Sequence, residues 1–199
     1  MSAAPSSSLP LSLNLDTAVE WLAAQPGSIA LHESLYAYTW IETAHVLGIT
    51  LFVGTIAMVD LRLLGVAFAR APVSAMNARI LPWTVAGFVL MMITGALLFY
   101  AIPVRSFHSL WFRAKILLMA AAAINIFVFH ARVERDRARW DRNPTPPLSA
   151  RISAAISLVA WASVIVTGRM IAYNWFDCDK PQSAFVHLLT GCPAGLTEQ

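Results

Sequence analysis

Four separate runs of this chain are each apolar over the length a helix needs to cross a lipid bilayer, which leaves few folds open. They extend from Thr39 to Leu64 (TWIETAHVLGITLFVGTIAMVDLRLL), Ile80 to Ile102, Trp111 to Ala131 and Ile152 to Tyr173. A hydrocarbon core of ~30 Å calls for about 20 consecutive helical residues. Lipid offers the backbone no hydrogen bonds, so each run must satisfy its own amides as a helix. Pro82 near the start of the second run and Pro103 just beyond its end fit helix punctuation. Charge agrees: 13% of residues are charged, where a soluble domain carries about 25%. The fold expected is all-α, a four-transmembrane-helix bundle occupying residues 14–175 as one domain surrounded by the lipid bilayer.

The flanks supply the orientation. Residues 1–13 open on a Ser/Pro-rich stretch without the basic start and long apolar core of a secretory signal peptide, and read as disordered. Asp16–Ala24 has an acidic N-cap and apolar residues at helical spacing, which predicts a short interfacial helix anchored by Trp21 and broken at Gln25-Pro26-Gly27. Basic loops stay cytoplasmic. Of 14 Lys and Arg, nine (Arg62, Arg70, Arg79, Arg132, Arg135, Arg137, Arg139, Arg142 and Arg151) fall in or beside the loops after the first and third spans. The reading is a bacterial inner-membrane protein with both termini outside. The tail, residues 176–199, then lies in an oxidising compartment, where Cys178 and Cys192 are expected to form a disulfide. The net charge of +3, without a clustered basic face, argues against a nucleic-acid partner.

Polar groups within the spans are costly and so are the candidate functional residues. They are Glu42, His45, Asp60, Arg62, Arg113, Lys115, Asn125, His130 and Arg169. Antiparallel threading places Glu42 and Arg169 ~3 Å, Lys115 ~6 Å and His45 ~8 Å below one and the same outer face. Tyr38, Glu42 and His45 share one stripe of the first helix; His108, Lys115 and Met119 are read as a stripe of the third, with Tyr100 and the Met91–Met92 pair arriving from the second. Asp60, Arg62 and His130 fall at the opposite end, as ordinary helix endings and an interface anchor. Arg113, Lys115 and Arg169 are close enough to the interface to snorkel. His45 is too short for that and needs a partner inside the bundle. A structural histidine and a ligand histidine stand as equal readings.

The runs IETAHVLGITLFVGTIAMVDLRLLG, LPWTVAGFVLMMITG, WFRAKILLMAAAAINIFVFH and GRMIAY, spread from about Ala23 to Tyr173, resemble a family of uncharacterised bacterial four-helix membrane proteins. More distantly, a His in the first helix and an aromatic-x-x-Lys opening the third are similar to CopD-type copper-resistance membrane proteins and to haem-containing membrane protoporphyrinogen oxidases. That likeness implies a functional site at His45 and Lys115. A b-type haem between helices needs a strong axial ligand and cations near its propionates. His45 is then the metal ligand, Lys115 and Arg169 receive the propionates beside Glu42, and Met92 or Met119 is the sixth ligand. Copper is the alternative, because His with Met suits Cu(I). A third reading has no cofactor, the bundle serving as anchor or transport subunit. The function expected is an electron-transfer protein or oxidoreductase component with a periplasmic or membrane redox partner.

Overall fold

The computed structural model describes residues 11–133, 135, 137–173 and, in the tail, Ser183, Phe185, Val186 and Leu189. Among the described residues there is helix and no strand. The order is α1 (Leu11–Ala23), α2 (Pro26–Glu33), α3 (Leu35–Leu64), α4 (Val73–Ala101), α5 (Pro103–His108), α6 (Leu110–Val128), a π turn (Phe129–Val133), α7 (Arg137–Trp140), α8 (Leu148–Met170) and a 3-10 turn (Ile171–Tyr173). Four helices are long and apolar enough to cross a membrane: α3, α4, α6 continued to Ala131, and α8 continued to Tyr173, of 30, 29, 22 and 26 residues. Large apolar side chains cover their outer surface, Leu117 being 72% and Phe127 74% exposed. In water such a surface would aggregate; facing acyl chains it is the solvated surface.

The helices pack as two antiparallel pairs, α3 with α4 and α6 with α8, joined chiefly through α3 and α8. The α3–α4 crossing is close because two glycines meet there. A Cβ on Gly87 would stand 2.7 Å from the Phe52 nitrogen, and one on Gly48 would stand 3.0 Å from the Met91 nitrogen. Small residues allow such backbone approach, and dispersion over the contact then holds helices that lipid does not drive together. Hydroxyls add polar contacts: Thr84 Oγ1 donates to Thr55 Oγ1 at 2.9 Å. On the other pair, Asn125 Nδ2 donates to the Ser153 carbonyl at 2.9 Å and Ser153 Oγ donates to Asn125 Oδ1 at 3.0 Å. The middle of the bundle is filled by Phe52, Met91, Ala122, Ala160, Trp161 and Val164, with the Phe52 and Trp161 rings edge to face at 4.8 Å.

At the end of the bundle away from α5, here called the loop end, Arg62 is fully buried. Its Nε donates to the Ala71 carbonyl at 2.7 Å and its Nη2 to the Asn143 carbonyl at 3.0 Å. Asp141 caps α4 from across the bundle, accepting from the Ser74 amide at 2.7 Å and the Ser74 hydroxyl at 2.6 Å. Asp60, one α3 turn before the helix end, is buried and meets Ser157 of α8.

Several boundaries differ from those read in the sequence. α1 starts at Leu11, inside the stretch expected to be disordered, and Asp16 sits within it rather than capping it. α1 ends at Ala23, so the break expected at Gln25-Pro26-Gly27 is present, but helix resumes at once. Pro26 opens a second helix, as proline can at a first helical position. Ser28 of α2 is buried and donates to the Tyr100 carbonyl at 2.7 Å, while Asp16 Oδ1 lies 3.7 Å from His108 Nε2 on α5. α1 and α2 therefore pack over the α5 end. α4 begins at Val73, so Pro82 lies well inside it; membrane helices tolerate an internal proline.

Candidate functional site

A cavity of about 730 Å³ opens in the α5 half of the bundle. That falls within the roughly 300–1,000 Å³ common for cofactor and small-molecule sites. Its ionisable lining comes from four helices: Tyr38, Glu42 and His45 of α3, Arg105 of α5, Lys115 of α6 and Arg169 of α8, with the hydroxyls of Thr50 and Ser106 beside them. The threading that put Glu42, His45, Lys115 and Arg169 at one level thus brings them to one cavity. The remainder is largely apolar, including Ile49, Val53, Leu98 and Val164.

His45 has the partner its depth demands. Its Nδ1 lies 2.9 Å from Thr94 Oγ1 on α4. The Thr94 hydroxyl gives its own proton to the Leu90 carbonyl at 2.6 Å, so toward His45 it accepts, and the network puts the imidazole proton on Nδ1. Nε2 is left with its lone pair. Gly95 makes room for the ring, since a Cβ there would come within 3.1 Å of His45 Cε1. Gly168 similarly borders Lys115: its Cβ would meet Nζ at 3.6 Å.

Among the described residues, none of Glu42, Lys115 and Arg169 has an opposite charge at ion-pairing distance. The Arg169 guanidinium lies 5.6 Å over the Tyr173 ring, and Arg105 Nη2 donates to the Ile171 carbonyl at 3.4 Å. Holding Lys115 and Arg169 in a half-apolar site with no carboxylate at ion-pairing distance is costly, and an anionic ligand offsets that cost.

Other candidates lie elsewhere. Met92 is 46% exposed on the outside of α4, and its neighbour Met91 is the buried one; neither lines the cavity. Met119 packs against the central core, not in the cavity wall. Neither Met92 nor Met119 is therefore placed to be a sixth ligand. His108 ends α5 and shares no stripe with Lys115. Tyr100 borders Gly27 of α2 instead of the cavity. Arg113 is directed to the Phe107 carbonyl at 3.1 Å and to the Leu189 carbonyl. His130 Nδ1 meets the Ile126 carbonyl at 2.9 Å where α6 ends, at the opposite end of the bundle from the cavity. Cys178 and Cys192 lie outside the described residues.

Sequence reading missed Arg105 and Thr94. Arg105 stands in a connection, not a span, though an arginine in a loop assigned to the non-cytoplasmic side was itself a signal. Thr94 could have been found by matching depth, as a hydroxyl on the second helix near the level of His45.

These features define a helical protein of membrane type, built from two helix pairs that enclose a polar-rimmed cavity at one end. The chain belongs to a family of unknown function, DUF6644, whose model matches residues 27–174. That span takes in every long helix and all of the cavity's polar residues. No curated protein and no solved structure matches the chain.

Proposed function

We propose that the cavity is a binding site for a b-type haem and that the protein serves as an electron-transfer component of the membrane. The observation that carries this reading is the His45–Thr94 pair. Metal-ligating histidines characteristically donate the second ring N–H to a fixed acceptor, which sets the tautomer and orients the ring. His45 does so, and its Nε2 remains for a metal in a mostly apolar site. Lys115 and Arg169, with Arg105 beside them, would hold the two propionates; Glu42 and Tyr38 border the same rim. A haem held there would supply one-electron transfer, while this chain's residues bind it, orient its axial ligand and keep its face away from water. The short motifs at His45 and Lys115 that resemble those of haem-containing membrane oxidases meet in this one cavity, which supports the reading.

Copper fits less well. Among the described residues no group of three His, Cys, Asp or Glu converges, and no methionine that would soften the site for Cu(I) lines the cavity. The arginine-rich loop end faces the cytoplasm in this reading, so the cavity opens toward the outer leaflet, where a periplasmic or membrane-bound redox partner would meet it.

The test is the visible spectrum of the full-length protein expressed with haem precursor and copper both supplied. A Soret band that His45→Ala abolishes, with the variant still folded and extractable, is the expected result. Wild-type protein carrying neither haem nor copper ends the proposal. Glu42, His45, Lys115 and Arg169 would then form a polar network for helix packing or solute passage.

A further inference from the structure

The cavity is not enclosed evenly. Four of its α3 residues, Glu42, Val46, Thr50 and Gly54, follow one another at four-residue intervals, and all are exposed. On α8, Ile165 and Arg169 repeat the pattern. On α4 and α6, by contrast, the lining residues are half-buried, and the Phe99 and Phe112 rings stack at 5.5 Å across the gap between those helices. Toward the loop end the Phe52–Trp161 contact closes α3 on α8. The opening is therefore a slot between the α5 halves of α3 and α8. Along α3, twelve residues cover ~18 Å of helix, more than half of a ~30 Å hydrocarbon core. A lateral opening at that depth in spanning helices borders acyl chains. At Gly54, the deepest of the four, no atom lies within 4 Å of the position a Cβ would take.

We infer that this site is loaded sideways from the bilayer, through the α3–α8 slot, by a lipid-soluble anion whose charged group docks at Lys115 and Arg169 while its apolar body lies along Val46, Thr50 and Gly54. The inference rests on the cavity proposed above for haem and names how its occupant arrives and what chemistry admits it. Deeper than Glu42 and Arg169 the slot offers carbon and one hydroxyl, at Val46, Thr50, Gly54 and Ile165, and so excludes strongly hydrated solutes. The two cations select against neutral amphiphiles, because Lys115 and Arg169 have no anion of their own among the described residues. An amphiphile with carboxylates at one end of an apolar body satisfies both conditions, and haem belongs to that class.

The experiment uses full-length protein in lipid vesicles, with Cys178 and Cys192 replaced by serine and a nitroxide attached at Thr50→Cys, Ile165→Cys or, as a control on the outside of α6, Leu117→Cys. Collision with oxygen reports lipid, and collision with a water-soluble nickel chelate reports aqueous access. At Thr50 and Ile165 oxygen should dominate. Haemin added to the vesicles should lower that collision several-fold at both slot positions and leave Leu117 unchanged. Access of the nickel chelate at Thr50, or haemin bound by its Soret shift without protection of the slot, overturns the lateral route. If haemin shows no Soret shift, the haem assignment fails and the slot is judged with oleate and oleyl alcohol. Protection by oleate and not by the alcohol upholds the inference. Protection by both, or by neither, overturns it.

Discussion

The Gly87→Ala substitution adds one methyl group where α3 and α4 cross, and the structure fixes what that methyl meets. Its Cβ would lie 2.7 Å from the Phe52 nitrogen and 3.0 Å from the Phe52 Cα, both backbone atoms that no rotamer change can move. Normal carbon contacts begin near 3.5 Å, so the helices must separate by ~0.8 Å at this point. Overpacking of that kind costs about 1–3 kcal/mol. Alanine's better helix propensity returns up to ~1 kcal/mol. Gly54→Ala, on the same helix pair, provides the same propensity gain with nothing within 4 Å of the new methyl. The difference between the two variants therefore isolates the crossing, and Gly87→Ala should unfold about 1–3 kcal/mol more readily than Gly54→Ala. Titration of detergent-solubilised protein with sodium dodecyl sulfate, followed by tryptophan fluorescence, measures it; Trp161 reports directly because its ring touches Phe52. If both variants unfold at the same dodecyl sulfate fraction, the glycine crossing does not hold the pair together.

Thr94→Val should weaken haemin binding by roughly 10–100-fold, whereas Thr94→Ser should retain it, because valine removes the hydroxyl that His45 Nδ1 meets and serine keeps it; equal titration curves for the two would show that Thr94 does not orient the ring. A double-mutant cycle of Asn125→Ala and Ser153→Ala should give a coupling of about 0.6 kcal/mol and no more than ~1.7 kcal/mol, the range for a single hydrogen bond between membrane helices. Reporter fusions at Pro72 and Asn143 should read cytoplasmic and a fusion after Leu196 periplasmic; a cytoplasmic reading at Leu196 reverses the cavity's facing. Thiol alkylation of Cys178 and Cys192 in protein extracted from membranes should require reductant, with a loop of about 15 residues contributing ~3 kcal/mol to the tail's closure.

The spans were legible because lipid demands length and apolarity, and both are written residue by residue. Their ends were less so. α4 runs back to Val73 through Ser74, Asn77 and Arg79, which hydropathy counts as loop, although polar residues extend a helix readily once it leaves the hydrocarbon. The level of Glu42, His45, Lys115 and Arg169 followed from helical rise alone; their meeting also required each stripe to face inward. Facing did not follow. A helix apolar on every side carries no phase, so nothing in the sequence separates Met91, which is buried, from Met92, which faces outward. α2 was hidden for another reason: Pro26-Gly27 reads as a break, and only the long-range bond from Ser28 to the Tyr100 carbonyl shows why a helix docks there.

Arg62 bears on how the molecule is put together in time. Its guanidinium is satisfied partly by the Ala71 carbonyl, which belongs to its own hairpin, and partly by the Asn143 carbonyl, which is made some 80 residues later. Asp141, from that same later loop, caps the start of α4. An arginine stays charged under all cellular conditions. A ribosome that has released only α3 and α4 therefore exposes a guanidinium that cannot yet be buried and a helix start that cannot yet be capped. The first hairpin can sit in the bilayer, but its loop cannot settle until the second hairpin arrives. Closure of the loop end thus waits on the segment around Asp141 and Asn143, which ties the settling of the first hairpin to the arrival of the connection between α6 and α8.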